Sequence, residues 1–485
     1  MANIKNNKMK RLLISLLFLS SCIYASPQSI KVEVDEIHEL NSIVWRLAGA
    51  EEYSQCYIPS YADDIDNYFD GYKEHPLIAY CNELRDELYI SHDAVCRAGT
   101  FIEKSGDGIG LCEGYTYADL AGIDDRWTAE AYEKYVNLLD DFYGRSKFDS
   151  FFDAHKPLYD DMSAKLDSIV KNKVDFAWIE GFFGQRLPEM RIFISPNNGS
   201  SNYGLNLNVP PCRRGILIGV HASPDGRPTF SRMIVETIIH EVAHMYTNPL
   251  VDAYSDRFAA HIDMRLYGYA MNTFYEYGVG TGSLLYEWLT RLCVLYYQKQ
   301  HGDDRVPIEY HIGSELKNGF IWMDNSFNLL DSLMNGNKGD KHFGDFMPAL
   351  VDDLNEAAEN LGDVIDRYEN SRPRIVEVIP TPGAELDLSG DFVTFTIVFS
   401  EDMYANASGL QMLLENFAPT KCNGGIDQGW TDARTFQMTY PTECVKDARI
   451  YGFVLNRDYM QDIYGFPMKG ENTFVFSIPE DSSCK

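Results

Sequence analysis

Residues 236–249 read ETIIHEVAHMYTNP, and within them His240-Glu241-Val242-Ala243-His244 places two imidazoles four residues apart with a carboxylate between them. That spacing has chemical meaning only on a helix. At roughly 100° per residue, His240 and His244 differ by about 40° and share a face. They could then bind one Zn²⁺ ion, with Glu241 on the flank of that face to take a proton from an acidified water. Ile234, Val235, Ile238, Val242 and Met245 fall on the opposite side, so the sequence predicts an apolar back and a polar front. HELNS at His38 begins the same way but has no second histidine. The rival reading of His240 and His244 is a pair of hydrogen-bonded core histidines.

A catalytic zinc site takes a third protein ligand and leaves a fourth position for water. Thr247 and Leu250 stand where an HExxHxxGxxH extension would need Gly and His. The downstream candidates are Asp252, Asp256, His261, Glu276 and Glu287. Glu287 stands out because it lies in the apolar helical run SLLYEWLTRLCVLYY, where an unpaired carboxylate is costly to bury. Arg291, four residues on, could orient it from behind; the alternative is a plain Glu287–Arg291 helix pair. His261 is the reserve ligand. A third-ligand Glu on a later helix is an arrangement that resembles gluzincins. Glu236, one turn before His240, either supports the site or is solvated.

Elements must hold these groups. From about 28 to 372 the texture is mainly helical, as in DEIHELNSIVWRLAGAEEY with Leu40, Ile43, Val44 and Leu47 at helical spacing. MRIFISP (190–196) and RGILIGV (214–220) break that period and read as strands. RIFISP is expected to be the sheet edge that pairs with an extended peptide, with NNGSSNYG as a loop bordering the cleft. After Pro373 the chain turns strand-like, in RIVEVIP, DFVTFTIVFS, ARIYGFVL and NTFVFSIP; Val393, Phe395, Ile397 and Phe399 alternate as in a half-buried antiparallel strand. The expected fold class is α+β. A mainly helical zincin-like domain with a small sheet (28–372) precedes an all-β sandwich (373–485).

The first 25 residues combine Lys5, Lys8, Lys10 and Arg11 with an apolar run from Leu12 to Leu19, the pattern of a secretory leader. Cleavage after Ala25 is one reading; the other is a lipobox at 19–22, which would make Cys22 a lipid anchor. Both predict export to the periplasm, the outer membrane or the medium. A formal charge of −30 repels a phosphate backbone, so no nucleic-acid partner is expected. Beyond the leader lie Cys56, Cys81, Cys96, Cys112, Cys212, Cys293, Cys422, Cys444 and Cys484, an odd number in a compartment that permits disulfides. Local pairing is expected for Cys422–Cys444 and among the first four, with Cys293 a buried free thiol.

Two resemblances add to this. HELNSIVWRLAG, DNYFDGYKEHPLIAY, WIEGFFG, SNYGLNL, IIHEVAHMYTNPL and the Glu of YEWLTRL together resemble a family of secreted bacterial proteins known as a domain of unknown function with metallopeptidase-like character. The likeness spans nearly all of 30–300. It implies His240 and His244 as zinc ligands, Glu241 as catalytic acid/base and Glu287 as third ligand. VIPTPGAELDLSGDFVTFTIVFSEDM (378–403) resembles a bacterial Ig-like domain, which implies a spacer without catalysis. The leading expectation is therefore an exported, monomeric zinc metalloendopeptidase acting on protein or peptide. The alternatives are a surface-attached binding or adhesion protein with a structural or degenerate zincin domain, and hydrolysis of a non-peptide amide.

Overall fold

In the computed structural model the described residues are 30–205, 212–262, 265–266, 283–303, 305–405, 410–412, 427–445 and 450–479. The leader with Cys22, the candidate ligand Glu276, and Cys422 and Cys484 lie outside them. The protein is α+β and forms two compact units, Met1–Met245 and Tyr246–Lys485, whose boundary falls within one continuous helix.

The first unit runs β1 (Lys31–Val34), α1 (Glu36–Leu47), α2 (Pro59–Tyr68), α3 (Pro76–Leu88), α4 (Asp93–Gly99), the hairpin β2–β3 (Ile102–Ser105, Gly108–Leu111), α5 (Tyr117–Ala121), α6 (Ala129–Ser146), α7 (Phe148–Lys173) and α8 (Phe176–Phe183). It continues through β4 (Arg191–Ser195), β5 (Tyr203–Leu205), β6 (Gly215–Gly219), the short hairpin β7–β8 (His221–Ala222, Pro228–Thr229) and the start of α9 (Ile234–Ala253). Its main sheet has the order β1-β4-β6-β5. β4 pairs in parallel with β1 on one side and β6 on the other, whereas β5 pairs antiparallel to β6.

This order corrects one expectation. RIFIS is an interior strand, not an edge. Ile192 to Ser195 are buried along its whole length, as a parallel strand covered on both faces must be. The antiparallel strand at the sheet's margin is β5, inside the stretch read as a loop.

Asp35 caps α1 by accepting from the backbone N–H groups of Ile37 and His38, at 3.0 and 3.1 Å. Ile37, Leu40, Ile43, Val44 and Trp45 are at most 1% exposed, each contributing roughly 1.5–3 kcal/mol by burial. The helix is not the simple amphipathic one its sequence suggests, because His38, Glu39, Asn41 and Ser42 are also buried. Asn41 is paired there: the Tyr135 hydroxyl donates to Asn41 Oδ1 at 2.6 Å and accepts from Trp45 Nε1 at 3.1 Å.

Cys112 is bonded to Cys212, with their Cα atoms 6.3 Å apart. Cys56, Cys81 and Cys96 are free thiols, so the expected pairing among the first four cysteines does not form. Those three lie on or beside separate helices, while Cys112 follows β3 and meets the chain just before β6. Cys293 is a buried free thiol, as expected, and Cys444 is in a disulfide.

In the second unit α9 ends and is followed by α10 (Ser283–His301), α11 (Ile308–Lys317), α12 (Met323–Gly336), α13 (Met347–Glu359) and α14 (Leu361–Ser371). Strands then take over: β9 (Ile375–Ile379), β10 (Phe392–Phe399), β11 (Leu410–Met412), β12 (Asp427–Trp430), β13 (Thr435–Pro441), β14 (Ile450–Leu455) and β15 (Thr473–Ser477). They form two antiparallel sheets, β12-β13-β10-β9 and β11-β14-β15. Val393, Phe395, Ile397 and Phe399 are buried, and their alternate neighbours are exposed or half-buried. Phe395 sits 5.3 Å from Tyr451 and 4.8 Å from Phe476 between ring centroids, so side chains from both sheets share one core. On α11 a Cβ at Gly313 would collide with the carbonyl of Tyr464, which makes glycine the residue that lets that helix lie against the strand-rich part. No helix among the described residues is long and apolar enough to cross a membrane.

Candidate metal centre

α9 is a twenty-residue helix whose apolar side fixes the orientation of its polar one. Ile234, Ile238, Ile239, Val242, Ala243, Tyr246 and Val251 are buried. The buried face differs slightly from the one expected: Val235 and Met245 are only half-buried, and Ile239, Ala243 and Tyr246 take a larger share. His240 and His244 are half-buried, and Glu241 is 8% exposed.

The two imidazoles meet edge to face, with centroids 4.7 Å apart and planes at 89°. Their Nε2 atoms are 3.1 Å apart. A tetrahedral zinc ion with bonds of about 2.0–2.1 Å sets ligand atoms about 3.3 Å apart, so the pair converges as two ligands of one ion would. The same 3.1 Å contact is one that a hydrogen-bonded pair of histidines makes.

Glu287 stands on α10, which is tied to the later turns of α9. The hydroxyls of Thr247 and Thr290, both buried, are 2.6 Å apart, and the Tyr286 hydroxyl donates to Asp252 Oδ1 at 2.6 Å. His240, His244 and Glu287 each offer a ligand atom, and these atoms all lie within 4.8 Å of one another. Two neutral nitrogens and one carboxylate oxygen form a donor set suited to a divalent ion such as zinc. Among the described residues no other group of three such side chains converges.

Arg291 Nε donates to Glu287 Oε2 at 3.1 Å, and its Nη1 donates to Glu315 Oε2 at 2.9 Å. Burial pushes the guanidinium pKa down, but the charges of Glu315 and Glu287 more than offset this and hold it above its ordinary value. Glu287 thus keeps one oxygen on Arg291. This serves the helix pair and the orienting role at once. Glu315, on α11, was not foreseen; it is twenty-four residues from Arg291, beyond any helical spacing that a sequence displays.

The other candidates stand elsewhere. Asp252 is exposed and engaged by Tyr286, and Asp256 is exposed in the turn Ser255–Arg257. His261 is exposed with φ of +59°. None of them joins the converging group. Glu236 is half-buried in the first turn of α9.

Sequence reasoning also missed Gly204. The middle residue of β5 faces α9. A Cβ at Gly204 would stand 3.1 Å from the Glu241 carbonyl oxygen, 3.4 Å from Glu241 Oε2 and 3.7 Å from His244 Cβ. The strand therefore lies against the backbone of the HExxH turn, so close that a side chain in place of Gly204 would make its neighbour give by a few tenths of an ångström.

Comparison with protein-family models matches residues 32–353 to a family described as a domain of unknown function, DUF4932. No curated protein and no solved structure matches the chain. The family match includes both histidines, Glu241, Glu287 and Arg291, and spans more than half of the sequence: the chain belongs to the DUF4932 family.

Proposed function

We propose that this protein is an exported zinc-dependent metallopeptidase of the HExxH type, with His240, His244 and Glu287 as ligands and Glu241 as the proton-moving residue. The observation that carries this reading is the convergence of two imidazoles and one carboxylate within 4.8 Å, beside a buried glutamate one position from the first histidine. Zinc held by that set supplies a Lewis acid that polarises a carbonyl and acidifies water. Arg291 holds Glu287 in place through one carboxylate oxygen, as supports behind a ligand commonly do. Glu241 accepts a proton from the attacking water and passes it to the leaving amine. Gly204 places the backbone of β5 against this turn. The margin of β5 away from β6 suits an extended peptide that adds as a further strand.

A zincin-like first part and an Ig-like tail agree with this reading. The sheet ends in an antiparallel strand beside the HExxH helix, and the tail packs two antiparallel sheets over one core. Export is supported by the leader sequence and by the Cys112–Cys212 disulfide.

The test is cleavage of an unfolded protein such as casein, with zinc content measured alongside. Chelation should abolish cleavage and added zinc restore it. Glu241→Gln should keep zinc and lower turnover by about 10²–10⁴-fold, and Glu287→Gln should lose zinc. Full activity in a zinc-loaded Glu241→Gln variant would refute the mechanism.

A further inference from the structure

The first unit contains a second histidine–glutamate pair that the proposed chemistry does not use. Glu39, on α1, is 1% exposed, and among the described residues no cation is paired with it. A carboxyl buried in this way is costly unless hydrogen bonds compensate, and Glu39 Oε1 accepts two. Tyr61 donates its hydroxyl at 2.6 Å, and Asn197 donates its Nδ2 at 2.9 Å. The same Nδ2 lies 3.2 Å from Ser42 Oγ.

Asn197 is not part of a helix packed on α1. It stands in the turn that leaves β4, six residues before β5 begins. The Asn197 carbonyl accepts from Gln55 N at 3.2 Å. Asn198 and Ser201 then exchange bonds: Ser201 N donates to the Asn198 carbonyl at 3.0 Å, and Asn198 Nδ2 donates to the Ser201 carbonyl at 2.8 Å. Asn202 Oδ1 accepts from Gly219 N at the end of β6 at 3.1 Å. Residues 196–202 are thus fastened at one end to Glu39 and at the other to β6, and the next three residues are the strand lying against Glu241.

We infer that Glu39 is a positioning residue for the candidate active site, setting through Asn197 where β5 lies relative to Glu241. The inference rests on the reading of Glu241 as the proton-moving group. Glu39 itself touches neither the ligands nor Glu241. Its effect passes through the turn at the end of the sheet, because α1 and α9 cover opposite faces: His38 packs on Phe193 of β4 at 4.3 Å between centroids, whereas Gly204 faces α9. Burial also raises the Glu39 carboxyl to about 7, against hydrogen bonds from Tyr61 and Ser42 that lower it. A glutamine therefore reproduces the neutral acid as an acceptor, whereas a leucine of similar bulk offers none.

The experiment uses the full zinc-loaded chain and three variants: Glu39→Leu, Asn197→Ala and Glu39→Gln. Amide hydrogen exchange reads local opening segment by segment. In Glu39→Leu and in Asn197→Ala, exchange over 196–205 should quicken about tenfold or more. Exchange over 347–371 should be unchanged, zinc content should be equal, and kcat on casein should fall with KM little altered. Glu39→Gln should keep both the exchange over 196–205 and kcat at wild-type levels. Asn197→Ala cuts the same link from the turn's side and keeps the inference testable if Glu39→Leu does not fold. Three results would overturn it: unchanged exchange over 196–205, equal acceleration throughout the chain, or a Glu39→Gln variant as impaired as Glu39→Leu. A wild-type chain that cleaves nothing would sink the peptidase reading, while the exchange pattern would still decide whether Glu39 holds β5.

Discussion

At the scale of single residues, the proposed ligand set depends on charges placed behind it. Arg291 is shared between Glu287 and Glu315, so its removal leaves two partly buried carboxylates facing each other. Arg291→Ala should weaken zinc binding by about 10–100-fold, read by competition with a chromophoric chelator, and Glu315→Gln should act in the same direction but less. Glu39 gives a separate, pH-dependent signature. An unfolded chain releases this proton near the ordinary glutamate value of 4.5, whereas burial makes the folded chain keep it up to about 7. Folding therefore holds an extra proton between those values, and stability falls as pH rises through that window. The loss is absent below about 4.5, complete above about 7 and worth roughly 3 kcal/mol. Relative to wild type, Glu39→Gln should gain stability from pH 4.5 to 7 in denaturant midpoints; parallel curves would refute the raised value. His240, Glu241 and His244 were legible because four-residue spacing is a local property of one helix. Glu315 and Glu39 were not, since their partners come from distant segments and a buried glutamate looks like any other in a sequence.

At the scale of elements, the HExxH helix is set by its neighbours. β5 approaches it most closely at Gly204, so Gly204→Val, with branches beyond the Cβ, should force strand and helix apart. The overpacking should cost about 1–3 kcal/mol, and casein turnover should fall while zinc content holds; unimpaired turnover would show that the close approach has no functional weight. The misreading of RIFIS has a related physical origin. Its apolar run correctly announces a strand, but whether it is central depends on β1, paired in register Lys31↔Arg191 from the far end of the unit. Nothing local encodes that partner. β5, three residues with glycine at its centre, has neither the length nor the alternation by which strands are detected. By contrast, Val393, Phe395, Ile397 and Phe399 declared themselves, because one face of β10 is core and the other is not.

At the scale of the whole molecule, the helix-rich and strand-rich stretches follow one another as the changes of period announce, with strands taking over after Ser371. The disulfide was the harder feature to foresee. It joins cysteines 100 residues apart, and only the fold brings the end of β3 to the start of β6. Constraining a loop of that size in the unfolded chain is worth about 4–5 kcal/mol on entropic grounds. The bond also has a consequence for the chain's integrity under attack. A single backbone cut anywhere between Cys112 and Cys212 severs the polypeptide but not the molecule. Such nicked protein should migrate as one species on a non-reducing gel and part into two fragments once reductant is added. Proteolytic damage to this hundred-residue loop would leave both pieces, and the helix bearing the two histidines, covalently together.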